Sequence, residues 1–368
     1  MVRKLLRPTN PFDIQPDTLI VSDPHLHERK EFEHIDPETG LNTRLVEGLN
    51  IFKQIATILK EHPEITYLYF LGDLFELKDK VPNHILIEFQ KVLSEIDTGG
   101  INISFLLGNH DFNLPEYPTA KLFDIHLITK PQCLIRPDGV KTAFLPYQRD
   151  FETFIKEWKE LDKEKPDIFF FHQELPGVEY ETGRKIGGIF PQSFFHSDTL
   201  YISGHIHKHQ IVGKALYVGS PYQTKFSDEG QNRYIWVLNS KTKKYSPIKL
   251  NYPEFKSLDI QTYRGAILSE TLLENISGTY IRVVGEIPAS QWDVQTRREI
   301  KTKLEKAGAK GISFQVQVSK QRQVQIPADK VDDDESIIKL YVDQNDAEGA
   351  GLDKSELVRI GLGLFKPN

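Results

Sequence analysis

Seven residues of this chain have side chains that could hold metal ions, and their spacing makes them a set. Asp23 and His25 stand two apart, as do His205 and His207 in "LYISGHIHKHQ" (200–210). Asp73, Asn109 and His172 each follow a short apolar run. Residues two apart on extended backbone point to the same side, so each pair is expected to present its side chains together. Two carboxylates, one amide oxygen and four imidazoles suit borderline divalent ions such as manganese, zinc or iron. Calcium prefers all-oxygen shells. Seven donors are too many for one tetrahedral ion but suit two ions about 3.5–4 Å apart that share a carboxylate, with Asp73 as the natural bridge. Such a pair acidifies water and clamps the attacking and leaving oxygens of a displacement at phosphorus. His110 has a different expected role. With Asp111 beside it, its ring could be held in one tautomer and kept protonated, ready to donate to a leaving alkoxide. His27, His34, His62, His84, His126, His196 and His209 are read as surface or core residues. His27 and His209 are the exceptions to watch, because they flank candidate ligands.

The elements that must position these donors are legible as a repeating pattern. "TLIVSDPH", "TYLYFLGD", "ISFLLGNHD", "DIFFFHQE" and "TLYISGHIH" are short β-branched or aromatic runs that end abruptly in Asp, Asn or His. Such runs suit strands buried on both faces, and open α/β sheets carry their sites at the carboxyl ends of strands. Helical stretches lie between the first three. One has Leu45, Leu49, Phe52, Ile55, Ile58 and Leu59 on a single face and stops before Pro63. The next opens with Pro82 and ends at a Gly pair. Later strands look hairpin-connected: "CLIRPDGVKTAFL" carries a Pro-Asp-Gly turn, and "ALYVGS" and "RYIWVLN" follow closely. The pattern predicts an α/β protein with a mixed two-sheet core and helices outside.

Residues 1–16 read as an extension and 17–250 as the main domain. After about Asn251, "GTYIRVVGEI", "QWDVQTRREIKTKLEKAG" and "GISFQVQVSKQRQVQI" predict a small β-α-β domain over 251–330. Residues 331–368 read as an acidic linker ("DDDES") followed by two short amphipathic helices. The composition is that of an ordinary globular protein, with 39% hydrophobic and 27% charged residues. A net charge of −6 does not by itself advertise an anionic partner, so nucleic-acid binding would need a gathered basic face or metal ions. Cys133 is the only cysteine, which excludes an internal disulfide and a cysteine-rich zinc site and suits a reducing cytoplasm. The basic N-terminus has no apolar core of signal-peptide length, and no apolar run is long enough to span a membrane.

In this order, the motifs "DPH", "GDLFE", "GNHD", "FFHQE" and "GHIH" resemble those of the calcineurin-like metallophosphoesterase superfamily. Within it the chain looks most like the SbcD-type nuclease subunit of double-strand-break repair complexes and its phage recombination counterparts. "YVGSPYQTKFSDEG", with Ser220 in its Gly-Ser-Pro segment, carries that likeness, as do the small domain and the helical tail. The resemblance implies an αββα metallophosphoesterase sandwich with an α+β capping domain and a helical C-terminal tail. It also implies two divalent ions, manganese first, with magnesium, zinc or iron as options. One ion would take Asp23, His25, Asp73 and His207; the other would take Asp73, Asn109, His172 and His205. His110, with Asp111, would be catalytic. Two positions depart from the family: His27 stands where a glycine is common, and Glu76 where archaeal and eukaryotic nucleases carry a histidine.

The implied activity is a DNA nuclease, exonucleolytic on double strands and endonucleolytic on single strands, working with an SbcC-type coiled-coil ATPase docked on the C-terminal helices. DNA contacts are expected from Ser220 and from Arg297, Arg298, Lys301 and Lys303 on the basic helix of the small domain. A homodimer is expected on the apolar face formed by Ile85, Leu86, Phe89, Val92, Leu93 and Ile96. Three other functions compete with this one. A small-diester phosphodiesterase explains the motifs but not the small domain and tail. A protein phosphatase would place an Arg soon after "GDLFE", where this chain has Lys78 and Lys80. A non-catalytic scaffold would not need all seven donors intact.

Overall fold

Along the short strands neighbouring residues face different cores, and this alternation fixes the layering. In the computed structural model, residues 10–77, 81–96, 100–111, 125–261, 275–319, 338, 339, 342 and 353–364 are described. One sheet runs in the order β12 (Lys244–Ile248), β11 (Ile235–Asn239), β1 (Thr18–Val21), β2 (Tyr67–Phe70), β3 (Asn102–Leu106), β4 (His126–Ile128). Strands β1 to β4 are parallel, and β11 and β12 add an antiparallel hairpin at one side. The second sheet runs β5 (Gln132–Ile135), β6 (Lys141–Leu145), β7 (Ile168–Phe171), β8 (Leu200–Ser203), β10 (Ala215–Tyr217), β9 (Gln210–Val212). It too has a parallel centre, β6-β7-β8-β10, with an antiparallel strand at each edge.

Between the sheets lie Ile20, Tyr69, Leu71, Phe144, Ile168, Phe170, Ile202 and Trp236. Their sequence neighbours face the opposite way. Leu19, Val21, Leu68 and Phe70 join the helices α1 (Thr43–Glu61) and α2 (Asn83–Ile96). On the other side, Phe169, Phe171 and Tyr201 meet Phe154 and Trp158 of α3 (Phe151–Asp162), with the Trp158 ring stacked 4.5 Å from Phe169 and 5.3 Å from Tyr201. The layers are helix, sheet, sheet, helix: the two-sheet α/β sandwich expected from the apolar runs. Helix α1 starts at Asn42, whose side chain accepts from the backbone N–H groups of Arg44 (2.9 Å) and Leu45 (3.3 Å).

Three expectations need correcting. "ALYVGS" and "RYIWVLN" are not hairpin partners: they form β10 and β11 in different sheets, joined by residues 218–234 crossing from one sheet to the other. The six apolar residues of α2 are all buried in the chain's own core, where α2 packs on α1 and the first sheet, so they offer no face to a second copy. Residues 10–16 do not trail away. Pro11–Ile14 forms a 3-10 turn, the Phe12 ring stacks 3.4 Å from His62, and Asn239 donates to the Ile14 carbonyl at 3.1 Å.

The chain divides into two compact units, Met1–Val283 with Lys301–Phe314, and Val284–Ile300 with Gln315–Asn368. Strands β13 (Phe255–Asp259), β14 (Tyr280–Pro288) and β15 (Gly311–Ser319) form a third sheet in that order, and α4 (Val294–Lys306) lies between β14 and β15 in the chain. This is the β-α-β order expected after Asn251. Of the predicted tail, α5 (Lys354–Leu364) is present, with Leu357 and Val358 half-buried and Ile360 exposed. The acidic linker and most of Ile337–Val342 lie outside the described residues. No described helix is long and apolar enough to cross a membrane.

Candidate metal centre

In-register pairing of Val21 with Phe70, and of Phe70 with Phe105, brings the carboxyl ends of β1, β2 and β3 level. Phe171 pairs with Ser203 and does the same for β7 and β8. The chain leaves these strands through tight turns packed on one another. A Cβ on Gly108 would stand 2.2 Å from Asp73 Oδ1, and one on Gly204 only 2.1 Å from Ser22 Oγ. The glycines of "GNHD" and "GHIH" are thus required by close approach.

Neither histidine-bearing pair lies on extended backbone, contrary to the same-side argument from spacing. Asp23 (φ 52°), His25 (φ 45°), Asp73 (φ 53°) and His205 (φ 75°) all adopt the left-handed region, which is sparsely used by residues with a Cβ. Such positions cost of order 1–3 kcal/mol each and persist where the surroundings over-determine them. Here the turns hydrogen-bond to each other: the N–H groups of Asp23, His25 and Leu26 donate to the carbonyls of Gly72, Asp73 and Leu74 at 3.0, 3.1 and 2.8 Å.

The turns bring all seven predicted donors together, drawing on both sheets. Ligand atoms of Asp23, His25 and His207 lie within 4.8 Å of one another, as do those of Asp73, His172 and His205, and those of His25, Asp73 and His110. Asn109 Oδ1 is 2.7 Å from His205 Nδ1 and 3.3 Å from His172 Nε2. On each imidazole the other nitrogen faces an acceptor outside the cluster. His172 Nδ1 donates to the Leu71 carbonyl at 2.5 Å, and His205 Nε2 to the Glu174 carboxylate at 2.6 Å. His25 Nδ1 is 3.0 Å from Glu76 Oε2, and His207 Nδ1 is 3.6 Å from Glu181 Oε1. The inward nitrogens converge, and those of His25 and His207 lie 2.9 Å apart. Once deprotonated, two such nitrogens present their lone pairs to one cation. The donor set therefore fits divalent ions, and the outward partners are the acceptors that orient metal-binding histidines.

The charges behave accordingly. Burial pushes the Asp73 carboxyl up, but His172, His25 and His110 around it hold it well below the usual range. Burial raises Asp23, against the pull of His172 and His25; both of its oxygens accept from the His205 N–H, at 3.1 and 3.0 Å. Burial works against a charged His172, yet Asp73 and Asp23 raise it to about 9. His207 is depressed by burial, His25, Arg233 and Lys225. Burial would raise Glu76, but His25 and Arg29 bring it down to about 2.

His110 stands beside the cluster, its backbone N–H donating to Asp73 Oδ1 at 2.8 Å and its Nδ1 to the Glu76 carbonyl at 2.6 Å. The tautomer partner found is thus a carbonyl. The Asp111 carboxylate accepts from the backbone amides of Asp73 (2.5 Å), Gly108 (2.9 Å) and Leu74 (3.1 Å), and burial and the Asp73 charge push its pKa up to about 7. Asp111 holds the turns rather than reaching into the cleft. Ser220 is turned inward, its hydroxyl donating to the Tyr222 carbonyl at 3.2 Å, so it offers no surface to DNA. Arg297, Arg298, Lys301 and Lys303 are exposed along α4, with Ile300 and Leu304 buried beneath. His27 is half-buried, and exposed His209 meets the Tyr234 ring edge-on at 5.2 Å.

The supporting carboxylates Glu174 and Glu181 are absent from the set expected from the sequence, and Glu76 enters there only as a departure from the family. The signal available was position: Glu76 and Glu174 end the quoted motifs "GDLFE" and "FFHQE", two or three residues past a ligand.

Residues 17–209 match the family described as calcineurin-like phosphoesterase. Among curated proteins, the chain is similar to exonuclease subunit 1 of Enterobacteria phage T4, at 23% identity over 248 residues, covering 59% of this chain and 70% of that protein. Among solved structures it is similar to Pseudomonas putida nuclease MPE, at 13% identity and TM-score 0.30 over 64% of this chain and 89% of that one. A dimetal phosphatase from Danio rerio is similar at 10% identity and TM-score 0.37, over 60% of this chain and 92% of that one.

Proposed function

Because the chain belongs to the calcineurin-like phosphoesterase family, we propose that it is a two-metal-dependent DNA nuclease acting in repair or recombination. In this reading it trims double-stranded ends, cuts single strands, and works in the cytoplasm of a bacterial or phage-infected cell. The observation that carries the reading is the convergence of Asp23, His25, Asp73, Asn109, His172, His205 and His207, with each imidazole's outer nitrogen facing an acceptor. Asp23, His25, Asp73 and His207 would hold one ion, and Asp73, Asn109, His172 and His205 the other. The ions, manganese in preference to magnesium, zinc or iron, would supply Lewis-acid activation of the phosphodiester and of the attacking water.

The chain's own groups do the rest. Asp73 would be shared between the two ions, and Asp111 fixes the backbone on either side of it. His110 Nδ1–H is anchored on the Glu76 carbonyl, so proton delivery to the leaving oxygen would run through Nε2. DNA as the substrate is supported by the similarity to exonuclease subunit 1 and by the exposed basic run Arg297, Arg298, Lys301 and Lys303. In the same reading residues 251–330 cap the nuclease domain, and the C-terminal helices dock an SbcC-type ATPase.

The alternative is hydrolysis of a small nucleotide or other diester, favoured by the modest size of the cleft, about 300 Å³. The test is purified full-length chain with manganese, given linear duplex DNA, single-stranded DNA and bis(p-nitrophenyl) phosphate. Degradation of DNA is expected. Turnover of the chromogenic diester alone would favour the alternative.

A further inference from the structure

Besides the candidate ligands and His110, the cleft is lined by Arg29, Glu76, Thr224 and Lys225. Its two permanent cations differ. Arg29 is occupied: its guanidinium is 3.6 Å from Glu76 and donates to the His25 carbonyl at 3.4 Å. Lys225 is exposed, and its ammonium forms no ion pair among the described residues. An ammonium has three donors and no acceptor, so it can neither ligate a cation nor take a proton from a neighbouring acid here.

The backbone that carries this lysine is heavily built. The buried Asp228 carboxylate accepts from the backbone N–H groups of Thr224 (2.8 Å) and Lys225 (3.3 Å) and from the Thr224 hydroxyl (3.3 Å). Its other oxygen is paired with Arg233 at 2.7 Å, and both partners are only 1% exposed. Arg233 also donates to the His207 carbonyl, which ties the turn to the candidate metal centre. On the other side, the Thr224 carbonyl accepts from Arg44 at 3.0 Å, and Arg44 lies over the Tyr280 ring at 4.4 Å. Two buried arginines thus fix one surface turn, whose exposed product is a cation at the lip of the cleft with no ion pair among the described residues.

We propose that Lys225 is a phosphate-binding residue, engaging the backbone phosphate next to the one being cleaved. The assignment rests on the nuclease reading. The scissile phosphate must meet the ligands on the floor of the cleft. A strand leaving the floor passes the lip, where its next phosphate finds the Lys225 ammonium. A contact of this kind strengthens binding irrespective of base sequence and is weakened by salt through counterion release.

The test uses the full chain and the variants Lys225→Gln and Lys225→Arg. Binding of a labelled mixed-sequence single strand is followed by fluorescence anisotropy with chelator present, across a salt series. Hydrolysis of the same strand and of bis(p-nitrophenyl) phosphate is then measured with manganese. Lys225→Gln should weaken DNA binding roughly 5–10-fold near 0.1 M salt and lower the slope of log affinity against log salt by about 0.7. The loss should fall on KM for DNA and be smaller on the diester, which has no neighbouring phosphate. Lys225→Arg should restore the slope. A wild type that cuts DNA, with Lys225→Gln binding it at unchanged slope and affinity, overturns this proposal alone. Equal losses on DNA and diester also overturn it, since they would put Lys225 at the reacting phosphate. A wild type that hydrolyses only the diester overturns the nuclease reading and this proposal together.

Discussion

The Asp73 backbone N–H donates to the Asp111 carboxylate at 2.5 Å, so one aspartate is held in place by another that never enters the cleft. The two should therefore fail differently. Asp73→Asn keeps its shape but loses the charge that would be shared between the ions, and should abolish hydrolysis while leaving the chain folded. Asp111→Ala strands three buried amide donors at about 1–3 kcal/mol each and should lower thermal stability clearly. Full nuclease activity in Asp73→Asn would sink the two-metal reading.

His110 sits beside the cluster with Nδ1 committed to the Glu76 carbonyl. If it delivers a proton, His110→Gln should bind metal normally and lose roughly 10²–10⁴ in rate on DNA. The loss should shrink on bis(p-nitrophenyl) phosphate, whose leaving group needs little protonation. A fall in metal content, measured by emission spectroscopy, would instead make His110 a ligand, as its place within 4.8 Å of His25 and Asp73 ligand atoms would allow.

In the metal-free chain His172 stays protonated up to about pH 9, because Asp73 and Asp23 outweigh its burial. An imidazolium cannot ligate, so ion uptake must expel that proton, and affinity should fall as pH drops below about 9. Titration calorimetry in buffers of different ionisation enthalpy should show proton release on manganese binding at pH 7. The sign for stability is the reverse. A folded-state pKa raised from 6.5 to about 9 stabilises the metal-free protein fully below pH 6.5, and that contribution is lost as pH rises through 9.

The Arg233–Asp228 pair, 1% exposed on both sides, should be expensive to break. Arg233→Met leaves a buried carboxylate without its cation, a change that typically costs about 3–5 kcal/mol. Urea denaturation should show that loss. A midpoint equal to wild type would mean that the Asp228 hydrogen bonds to Thr224 and Lys225 suffice.

Deleting residues 332–368 should leave single-strand cleavage nearly unchanged and abolish co-purification with an SbcC-type ATPase. Retained binding at full affinity would overturn the docking role of the tail, whose described helix α5 leaves Ile360 exposed.

Much of this was legible in the sequence. Leu19, Ile20 and Val21 read as a doubly buried strand because they are packed from both sides, and the donors were legible because each follows such a strand. The crossing from β10 to β11 was not, because residues 218–234 form a loop whose direction no local pattern encodes. Nor were the left-handed positions: Asp23, His25, Asp73 and His205 adopt φ values their residue types do not advertise, imposed by hydrogen bonds between neighbouring turns. Glu174 and Glu181 were missed because sequence distance from a ligand does not say which way a side chain turns. Ser220 was misplaced for the same reason.

Each candidate ion site takes ligands from both sheets: Asp23 and His25 follow β1 while His207 follows β8, and Asp73 follows β2 while His172 and His205 follow β7 and β8. The layer between those sheets is apolar and non-directional, made of residues such as Ile20, Phe144 and Ile202. An ion held from both sides would add directional bonds across a layer held by packing alone, and would couple the stability of the sandwich to its catalytic competence. Saturation at about a thousand times the dissociation constant would add about 4 kcal/mol to the folded state. A chelated sample would then be less stable to unfolding as well as idle.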